Sequence, residues 1–371
     1  DGTETGSFLV KDIRPGVDGP SILHMTPVGA STYFTVDDGA VGRELWKTDG
    51  TTAGTVPVKD IRPGAASTSI SDLVDFKGQL FFVANDGTHG DELWKTDGTD
   101  AGTTMIKDVA PGSTSAGPRF FVVTDNFLYF SAYQPSTGYQ LWKSDGTEGG
   151  TQMVKYLPRQ IIWVYTSLNN IVYFAGSDEE TGLELWRSDG SEAGTFIVKD
   201  INPGEASSIG VSVQVLDGHL FFRADDGIHG DELWKSDGTE QGTVLVHDIH
   251  DGKYTSDIRS PHIIDNKLYF LAKDNGHGYE VWKTDANDCG AQRITVNLDL
   301  IPTKLSHIGQ RLIVTAKSET YGEEIYYYDI SNNPPEKISQ TITFEPPAEV
   351  HYGDIIELNA STASATPVKF S

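Results

Sequence analysis

The string ELWKTDGTTAGT at residues 44–55 recurs in slightly altered form along most of the chain. Its tryptophan returns at intervals of 48, 48, 44, 48 and 48 residues, at Trp46, Trp94, Trp142, Trp186, Trp234 and Trp282. A further 44 residues on, EEIYYYD places Tyr326 in the tryptophan position. A second apolar marker lies 12 residues before each of these positions, at Phe34, Phe82, Phe130, Phe174, Phe222, Phe270 and Val314. Seven copies of one structural unit therefore fill most of the 371 residues, and the fold must be built by repetition.

Each unit predicts four short β-strands. Residues 69–109 contain the apolar runs SISDLVDF, QLFFVAND, DELWKTD and TMIKDV, separated by the turn sequences KG, DGTHG and GTDAGT. The apolar residues do not follow the spacing of three and four that is typical of a helix. Runs such as LFFVA and LYFLA are apolar at consecutive positions, which indicates strands covered on both faces. Repeated sheets of this kind are typical of the blades of a β-propeller.

The two ends of the repeat region complement each other. The chain opens with DGTETGSFLVKDIRPG, the second half of a unit, and the last unit ends at GEEIYYYDI without a second half. We therefore expect an all-β fold, a seven-bladed β-propeller of four-stranded blades. Residues 7–13 would supply the outermost strand of the last blade, whose other three strands come from residues 303–330. This closure would remove the open strand edges of an incomplete ring.

The recurring motif is interpreted as architecture. Leu45 and Trp46 point to opposite faces of a strand, so each can pack against a different neighbouring blade. Lys47 can lay its methylene groups along this packing and keep its charge in water. In the following turn, Asp49 can accept backbone hydrogen bonds, and Gly50 and Gly54 can take the positive φ values of a tight hairpin.

Composition limits the class of partner. The chain has 28 Lys and Arg against 53 Asp and Glu, a net charge of −25. This argues against a nucleic-acid partner, because phosphate binding needs clustered basic residues. No apolar run reaches the 18 residues of a membrane span, so membrane insertion is not expected. The chain opens without a charged-then-apolar leader, and its one cysteine, Cys289, excludes an internal disulfide framework.

The six tryptophan-bearing copies resemble the bacterial ELWxxDGT repeat, and the resemblance covers residues 1 to about 330. It implies propeller blades in a large secreted or surface protein, and it carries over no catalytic residues. Residues 338–371, with QTITF and YGD, resemble the beginning of a bacterial immunoglobulin-like module of the MBG type. We therefore divide the chain into a propeller at 1–333 and a partial module or linker at 334–371. The resemblance implies an extracellular or cell-surface location, and we expect a monomeric fragment of a larger multidomain protein.

Polar pairs recur where the second strand of a unit turns into the third. The pairs are Asp37-Asp38, Asn85-Asp86, Asp225-Asp226 and Lys273-Asp274, and His89, His229 and His277 follow in three of these turns. Oxygen ligands on a tight loop could hold calcium, but Asp and Asn also favour such turns for backbone reasons. Imidazole is a poor calcium ligand. We expect that no cofactor is required, and calcium stays open as an alternative.

Candidate ligand-binding residues are sought where the repeat breaks, because a residue that the architecture does not require needs another reason. Two units are four residues shorter and lack the KDIxPG sequence, and one of them contains Arg159 and Trp163. Aromatic rings beside cationic groups suit stacking on a sugar or a peptide. The predicted ligand-binding residues are Tyr133, Tyr139, Arg159, Trp163, Lys253 and Tyr254. Trp163 has an alternative role, which is to fill the space that the deletion leaves.

The sequence predicts a non-catalytic binding or adhesion module that recognises a glycan or a protein through loops on one propeller face. The GxSxG, HExxH, phosphate-loop and dinucleotide motifs are absent, which argues against an enzyme. One alternative is a polysaccharide-active hydrolase or lyase, with two carboxylates converging at the channel mouth. A second alternative is a structural spacer without a ligand.

Overall fold

The computed structural model describes residues 3–16, 19–287, 290–294, 300–309, 311–318 and 322–330. The predicted module at 334–371 and Cys289 lie outside these residues. Within the described part, the chain forms β-strands and no helix. This agrees with the all-β prediction from the repeat unit.

The strands are numbered in chain order and form seven antiparallel sheets, sheet 1 to sheet 7. Sheets 1 to 3 comprise β1 (Leu23–Val28), β2 (Ser31–Asp37), β3 (Arg43–Thr48) and β4 (Val56–Lys59); β5 (Ile70–Phe76), β6 (Gln79–Asn85), β7 (Asp91–Thr96) and β8 (Thr104–Lys107); and β9 (Arg119–Val123), β10 (Leu128–Gln134), β11 (Gly138–Ser144) and β12 (Gln152–Lys155). Sheets 4 and 5 comprise β13 (Arg159–Leu168), β14 (Ile171–Ser177), β15 (Glu184–Ser188) and β16 (Phe196–Lys199); and β17 (Ile209–Leu216), β18 (His219–Asp225), β19 (Asp231–Ser236) and β20 (Val244–His247). Sheets 6 and 7 comprise β21 (Arg259–Ile264), β22 (Lys267–Asp274), β23 (His277–Thr284) and β24 (Gln292–Ile294); and β25 (Ile301–Ile308), β26 (Arg311–Ser318) and β27 (Gly322–Asp329).

The two repeat markers are cross-strand partners. In each sheet, the residue 12 positions before the tryptophan lies directly opposite it on the second and third strands. The seven pairs are Phe34 and Trp46, Phe82 and Trp94, Phe130 and Trp142, Phe174 and Trp186, Phe222 and Trp234, Phe270 and Trp282, and Val314 and Tyr326. The constant spacing in the sequence is therefore the register of a hairpin.

Neighbouring sheets pack face to face in chain order, and their first strands lie side by side from β1 through β17 and again from β21 to β25. The leucine of each motif packs with the tryptophan of the next sheet, as Leu45 does with Trp94 and Leu93 with Trp142. Trp46 instead packs backwards, against Ile13 of the N-terminal segment. The prediction that these two positions face different neighbours is confirmed. Such stacking of consecutive sheets is the arrangement of propeller blades.

The lysine of the motif does more than keep its charge in water. Lys95 Nζ donates to the Gly146 carbonyl of the next sheet at 2.8 Å, and Lys143 donates to Gly190 at 2.8 Å. A second lysine, at the end of the fourth strand, also crosses the interface. Lys107 Nζ donates to the Thr151 carbonyl at 2.8 Å. Two charge-assisted hydrogen bonds therefore join neighbouring sheets beside the apolar contact.

The N-terminal segment lies against sheet 1 and is not assigned as a strand. Sheet 7 has three strands among the described residues, and the structure does not show residues 7–13 paired with β27. The predicted closure therefore stays a prediction. However, Lys11 Nζ donates to the Thr55 carbonyl at 2.7 Å, the same contact that Lys107 makes two sheets further on. Towards sheet 1, residues 10–13 thus occupy the position of a preceding fourth strand.

The turn between the third and fourth strands has its own hydrogen-bond network. Asp145 Oδ1 accepts from the Thr147 backbone N–H at 2.8 Å and from its hydroxyl at 2.7 Å. The same hydroxyl oxygen accepts from the Gly150 N–H at 2.9 Å. These hydrogen bonds lower the pKa of Asp145. The turn therefore uses the aspartate as the sequence predicts, and it also uses the threonine, which was not predicted. Gly50 has the predicted positive φ, at 87°, but Gly54 does not, so that prediction was wrong. Gly54 is instead required by space, because a Cβ there would lie 2.0 Å from Asp49 Oδ1.

Candidate functional site

One end of the sheets carries the irregular loops, and it is called the loop face here. It consists of the loops between second and third strands and the connections from each fourth strand to the next first strand. Hydrogen bonds join the two kinds of segment, such as Thr68 N–H to the Arg43 carbonyl at 2.9 Å and Ser256 N–H to the Asp231 carbonyl at 3.2 Å. Both kinds of connection therefore lie at the same end of the sheets.

The glutamate of the ELW motif is buried beneath these connections and accepts hydrogen bonds from their backbone N–H groups. Glu92 is fully buried and accepts from the backbone N–H groups of Val109 at 3.0 Å and Ala116 at 3.3 Å. Burial raises the pKa of Glu92 to about 7, against the lowering effect of these donors. Glu184 and Glu232 are held in the same way and also have a pKa of about 7. A carboxylate that recurs in this role is architectural rather than catalytic.

The polar pairs between second and third strands also serve the backbone. Asp86 Oδ1 accepts from the N–H groups of Thr88 and His89, and its Oδ2 lies 2.7 Å from His89 Nδ1. This hydrogen bond raises the pKa of His89. Asp226 and His229 repeat the arrangement. Among the described residues, no three His, Cys, Asp or Glu side chains form a group that could hold a metal ion.

Tyr133 and Tyr139 meet on sheet 3 at the loop face. They are directly opposite each other on β10 and β11, and their ring centroids lie 5.5 Å apart at an interplanar angle of 59°. Both side chains are half-buried. The guanidinium carbon of Arg119, at the start of β9, lies 4.1 Å from the centroid of the Tyr139 ring. These three side chains form a cluster of two aromatic rings and one cation.

Arg159 and Trp163 both lie on β13 but have different environments. The Arg159 guanidinium is paired with Glu205 at 3.3 Å across the surface. Trp163 is partly buried and packs against the core cluster between sheets 4 and 5, which includes Leu185 and Trp234. The space-filling alternative for Trp163 therefore has direct structural support.

Lys253 and Tyr254 lie on the connection from sheet 5 to sheet 6. Both are exposed, and 68% of the Tyr254 surface is accessible. The Tyr254 ring stacks on His250, with centroids 5.1 Å apart and an interplanar angle of 22°. Among the described side chains, no hydrogen bond, ion pair or ring contact links this pair to Tyr133 and Tyr139. The six predicted residues therefore do not form one site: Trp163 packs against the core, and the others lie in separate places.

Sequence reasoning missed Arg119 and a charged cluster on sheet 6. In that cluster, Asp257 is bound by Arg259, Lys273 and Tyr279. The repeat contains a signal for both clusters, because Arg119 and Arg259 each lie 23 residues before their tryptophan and Tyr139 and Tyr279 each lie three before it. Comparing the copies at a fixed distance from the tryptophan finds both clusters at once.

No protein-family model matches the chain, and no curated protein does. Among solved structures, the computationally designed protein Ika8 is 15% identical, with a TM-score of 0.43 and 83% of each chain covered. A prolyl endopeptidase is 11% identical, with a TM-score of 0.48, 88% of this chain covered and 52% of that chain. A puromycin hydrolase is 13% identical, with a TM-score of 0.43, 90% of this chain covered and 57% of that chain. This chain thus spans little more than half the length of either hydrolase, and these values are too low to transfer an activity. The described residues contain no helix that could cross a membrane.

Proposed function

We propose that the chain forms a closed seven-bladed propeller and acts as a non-catalytic binding module, which recognises a glycan or a protein through its loop face. The contact from Lys11 to the Thr55 carbonyl supports the closure, because it repeats the contact that fourth strands make with the next sheet. In a closed ring, residues 7–13 would lie beside β27 and complete sheet 7.

The proposal rests on a contrast between two groups of side chains in the repeat: those that bond to the backbone and those that stay accessible. The Glu, Lys and Asp side chains of the ELWKTDGT motif are bonded to backbone groups in sheet after sheet. By contrast, Tyr133, Tyr139 and Tyr254 leave aromatic surface accessible on the loop face. A rigid ring that presents aromatic side chains loses little conformational entropy on binding.

We also propose a cell-surface location and a partner other than nucleic acid. The likeness of the repeat to bacterial ELWxxDGT copies supports an exported protein at the cell surface, in which this chain is one part of a larger whole. A net charge of −25 favours partners other than nucleic acid. Calcium is left to experiment, since the turn carboxylates already accept backbone hydrogen bonds.

A glycan array, read with and without calcium, tests the proposed function. We expect binding to one class of glycan, and we expect Tyr254→Ala to weaken it at least threefold without changing the melting temperature, because Tyr254 is exposed. Trp163→Ala is a poor probe of binding, since it removes part of the core between sheets 4 and 5. Full binding by both Tyr139→Ala and Tyr254→Ala would contradict the proposed surface.

A further inference from the structure

Sheet 6 contains a carboxylate held by three donors. Arg259 donates through Nε to Asp257 Oδ1 at 3.1 Å and through Nη2 to Oδ2 at 2.7 Å. Lys273 Nζ donates to Oδ2 at 3.1 Å, and the Tyr279 hydroxyl donates to the same oxygen. Although burial raises it, these donors hold the pKa of Asp257 down at about 2. The three donors form a binding site for a carboxylate, called the receptor here, and the side chain of Asp257 occupies it.

Sheet 3 repeats the backbone of this receptor. Gly117, Arg119, Tyr133 and Tyr139 lie 25, 23, 9 and 3 residues before Trp142, as Asp257, Arg259, Lys273 and Tyr279 do before Trp282. The φ of Gly117 is 52°, and that of Asp257 is 48°. In both sheets, the second strand donates a 2.8 Å backbone hydrogen bond to the residue before this position. The two sites therefore match in sequence register and in these backbone features, with Tyr133 in place of Lys273.

The receptor on sheet 3 lacks the carboxylate. Gly117 stands where sheet 6 has Asp257, and a Cβ at this position would lie 3.9 Å from the Tyr139 hydroxyl. Arg119 makes no hydrogen bond or ion pair among the described residues, and its buried Nε has no partner. Its guanidinium is held in place by stacking on the rings of Tyr139 at 4.1 Å and Phe120 at 5.3 Å. A stacked guanidinium keeps its N–H edge available for a planar anion.

We infer that Arg119, Tyr133 and Tyr139 form a binding site for the carboxylate of an acidic saccharide, at the position that Asp257 fills in sheet 6. The inference deepens the proposed function and rests on it for the location of the ligand. A carboxylate matches the fork of the guanidinium, as Asp257 and Arg259 do. Beside the Arg119–Tyr139 pair, the half-buried Tyr133 ring offers apolar surface to the C–H groups of a pyranose ring; its centroid lies 5.5 Å from that of Tyr139. A uronic acid combines both features.

Titration calorimetry with trigalacturonate tests the site, using the full chain at low salt. The matched control ligand is the same trisaccharide with its carboxylates methyl-esterified, which removes the charge and keeps the ring. We expect the acid to bind at one site and the ester to bind at least tenfold more weakly. A third ligand, a short peptide rich in aspartate, supplies carboxylates without a sugar.

The chain offers a matched pair of variants. Gly117→Asp should fill the receptor with an internal carboxylate and weaken trigalacturonate binding at least tenfold. Gly117→Asn has nearly the same shape and the same backbone demand, since Asn and Asp both tolerate positive φ. It should occupy the site without the charge and therefore weaken binding clearly less than Gly117→Asp does. Conversely, Asp257→Gly should open the receptor on sheet 6 and raise the stoichiometry from one to two.

Four results would overturn the inference. Equal binding of the acid and the methyl ester would show that the carboxylate is not recognised. The proposed function as a glycan-binding module would still stand. An equal effect of Gly117→Asp and Gly117→Asn would point to sterics rather than charge. Binding of the peptide but not of trigalacturonate would make the ligand a protein carboxylate. If trigalacturonate does not bind at all, the inference fails, and the proposed function is then judged by the glycan array alone.

Discussion

The glutamate of the ELW motif is the residue that connects the repeat with the loop face. Its side chain points away from solvent and accepts backbone N–H groups of the connection above it, as Glu92 does from Val109 and Ala116. A buried acceptor of this kind orders a loop that would otherwise have unpaired donors. The positions of Gly117 and Arg119 therefore depend on a residue of the repeat that does not itself reach the surface.

These glutamates make stability depend on pH in a defined direction. Burial raises the pKa of Glu92, Glu184 and Glu232 to about 7, above the ordinary value of 4.5. The folded chain then binds protons more tightly than the unfolded chain, so their contribution is complete below about pH 4.5 and is lost as pH rises through 7. We expect the free energy of unfolding, measured in urea, to fall between pH 5 and pH 8.

Glu92→Gln should reduce this dependence of the unfolding free energy on pH, by on the order of 2 kcal/mol between pH 5 and pH 8. The exposed Glu148 supplies the control, since Glu148→Gln should leave the slope unchanged. An unchanged slope in Glu92→Gln would show that the buried carboxylate is already ionised in the folded chain at pH 5. Its N–H donors would then outweigh its burial.

At the scale of the element, the DGT turn can be tested by a pair of substitutions. Thr147→Val keeps the shape of the side chain but removes the hydroxyl that bonds Asp145 and the Gly150 N–H. We expect a loss of about 1–2 kcal/mol in the free energy of unfolding. Thr147→Ser should be near neutral, because Ser191 makes the same two hydrogen bonds in sheet 4. Equal stability of the valine and serine variants would contradict this account of the turn.

The elements themselves could be predicted from sequence because the signals are local. The four runs of residues 69–109 became β5 to β8, since turn residues such as Gly78 mark their ends. The cross-strand register followed from the constant distance between Phe82 and Trp94. The lysine contacts could not be predicted, because the acceptor of Lys95 is a backbone carbonyl 51 residues further on. Backbone carbonyls have no sequence signature.

The candidate site was predicted only in part, for a related reason. Tyr133 and Tyr139 are among the residues that the sequence predicts, and their rings do lie close together, with centroids 5.5 Å apart. Arg119 belongs to a unit of ordinary length, so the shortened units that point to Arg159 and Trp163 give no signal for it. Its stacking on Tyr139 also depends on the backbone of Phe120, whose φ is 59°. A positive φ at phenylalanine is rare and has no local sequence signal.

At the scale of the whole molecule, closure of the ring is the main prediction. Deletion of residues 1–13 removes the contact from Lys11 to Thr55 and the packing of Ile13 against Trp46. We expect a lower melting temperature and self-association in light scattering, because the edge of β27 would lose its predicted partner. Deletion of residues 334–371 is the control and should change neither property. Equal melting temperatures for the two truncations would contradict the closure.

The joint between sheets has a consequence for how such a chain can change over generations. Between sheets 2 and 6, each interface has a lysine or an arginine in one copy that donates to a carbonyl in the next, 47 or 51 residues further along the chain. A stretch of gene that runs from one tryptophan codon to the next therefore encodes one donor and one acceptor. The donor bonds to the next copy, and the acceptor receives the hydrogen bond from the previous copy. Exchange between copies by unequal recombination preserves both the donor and the acceptor, so the surface loops can diversify while each of these interfaces remains complementary.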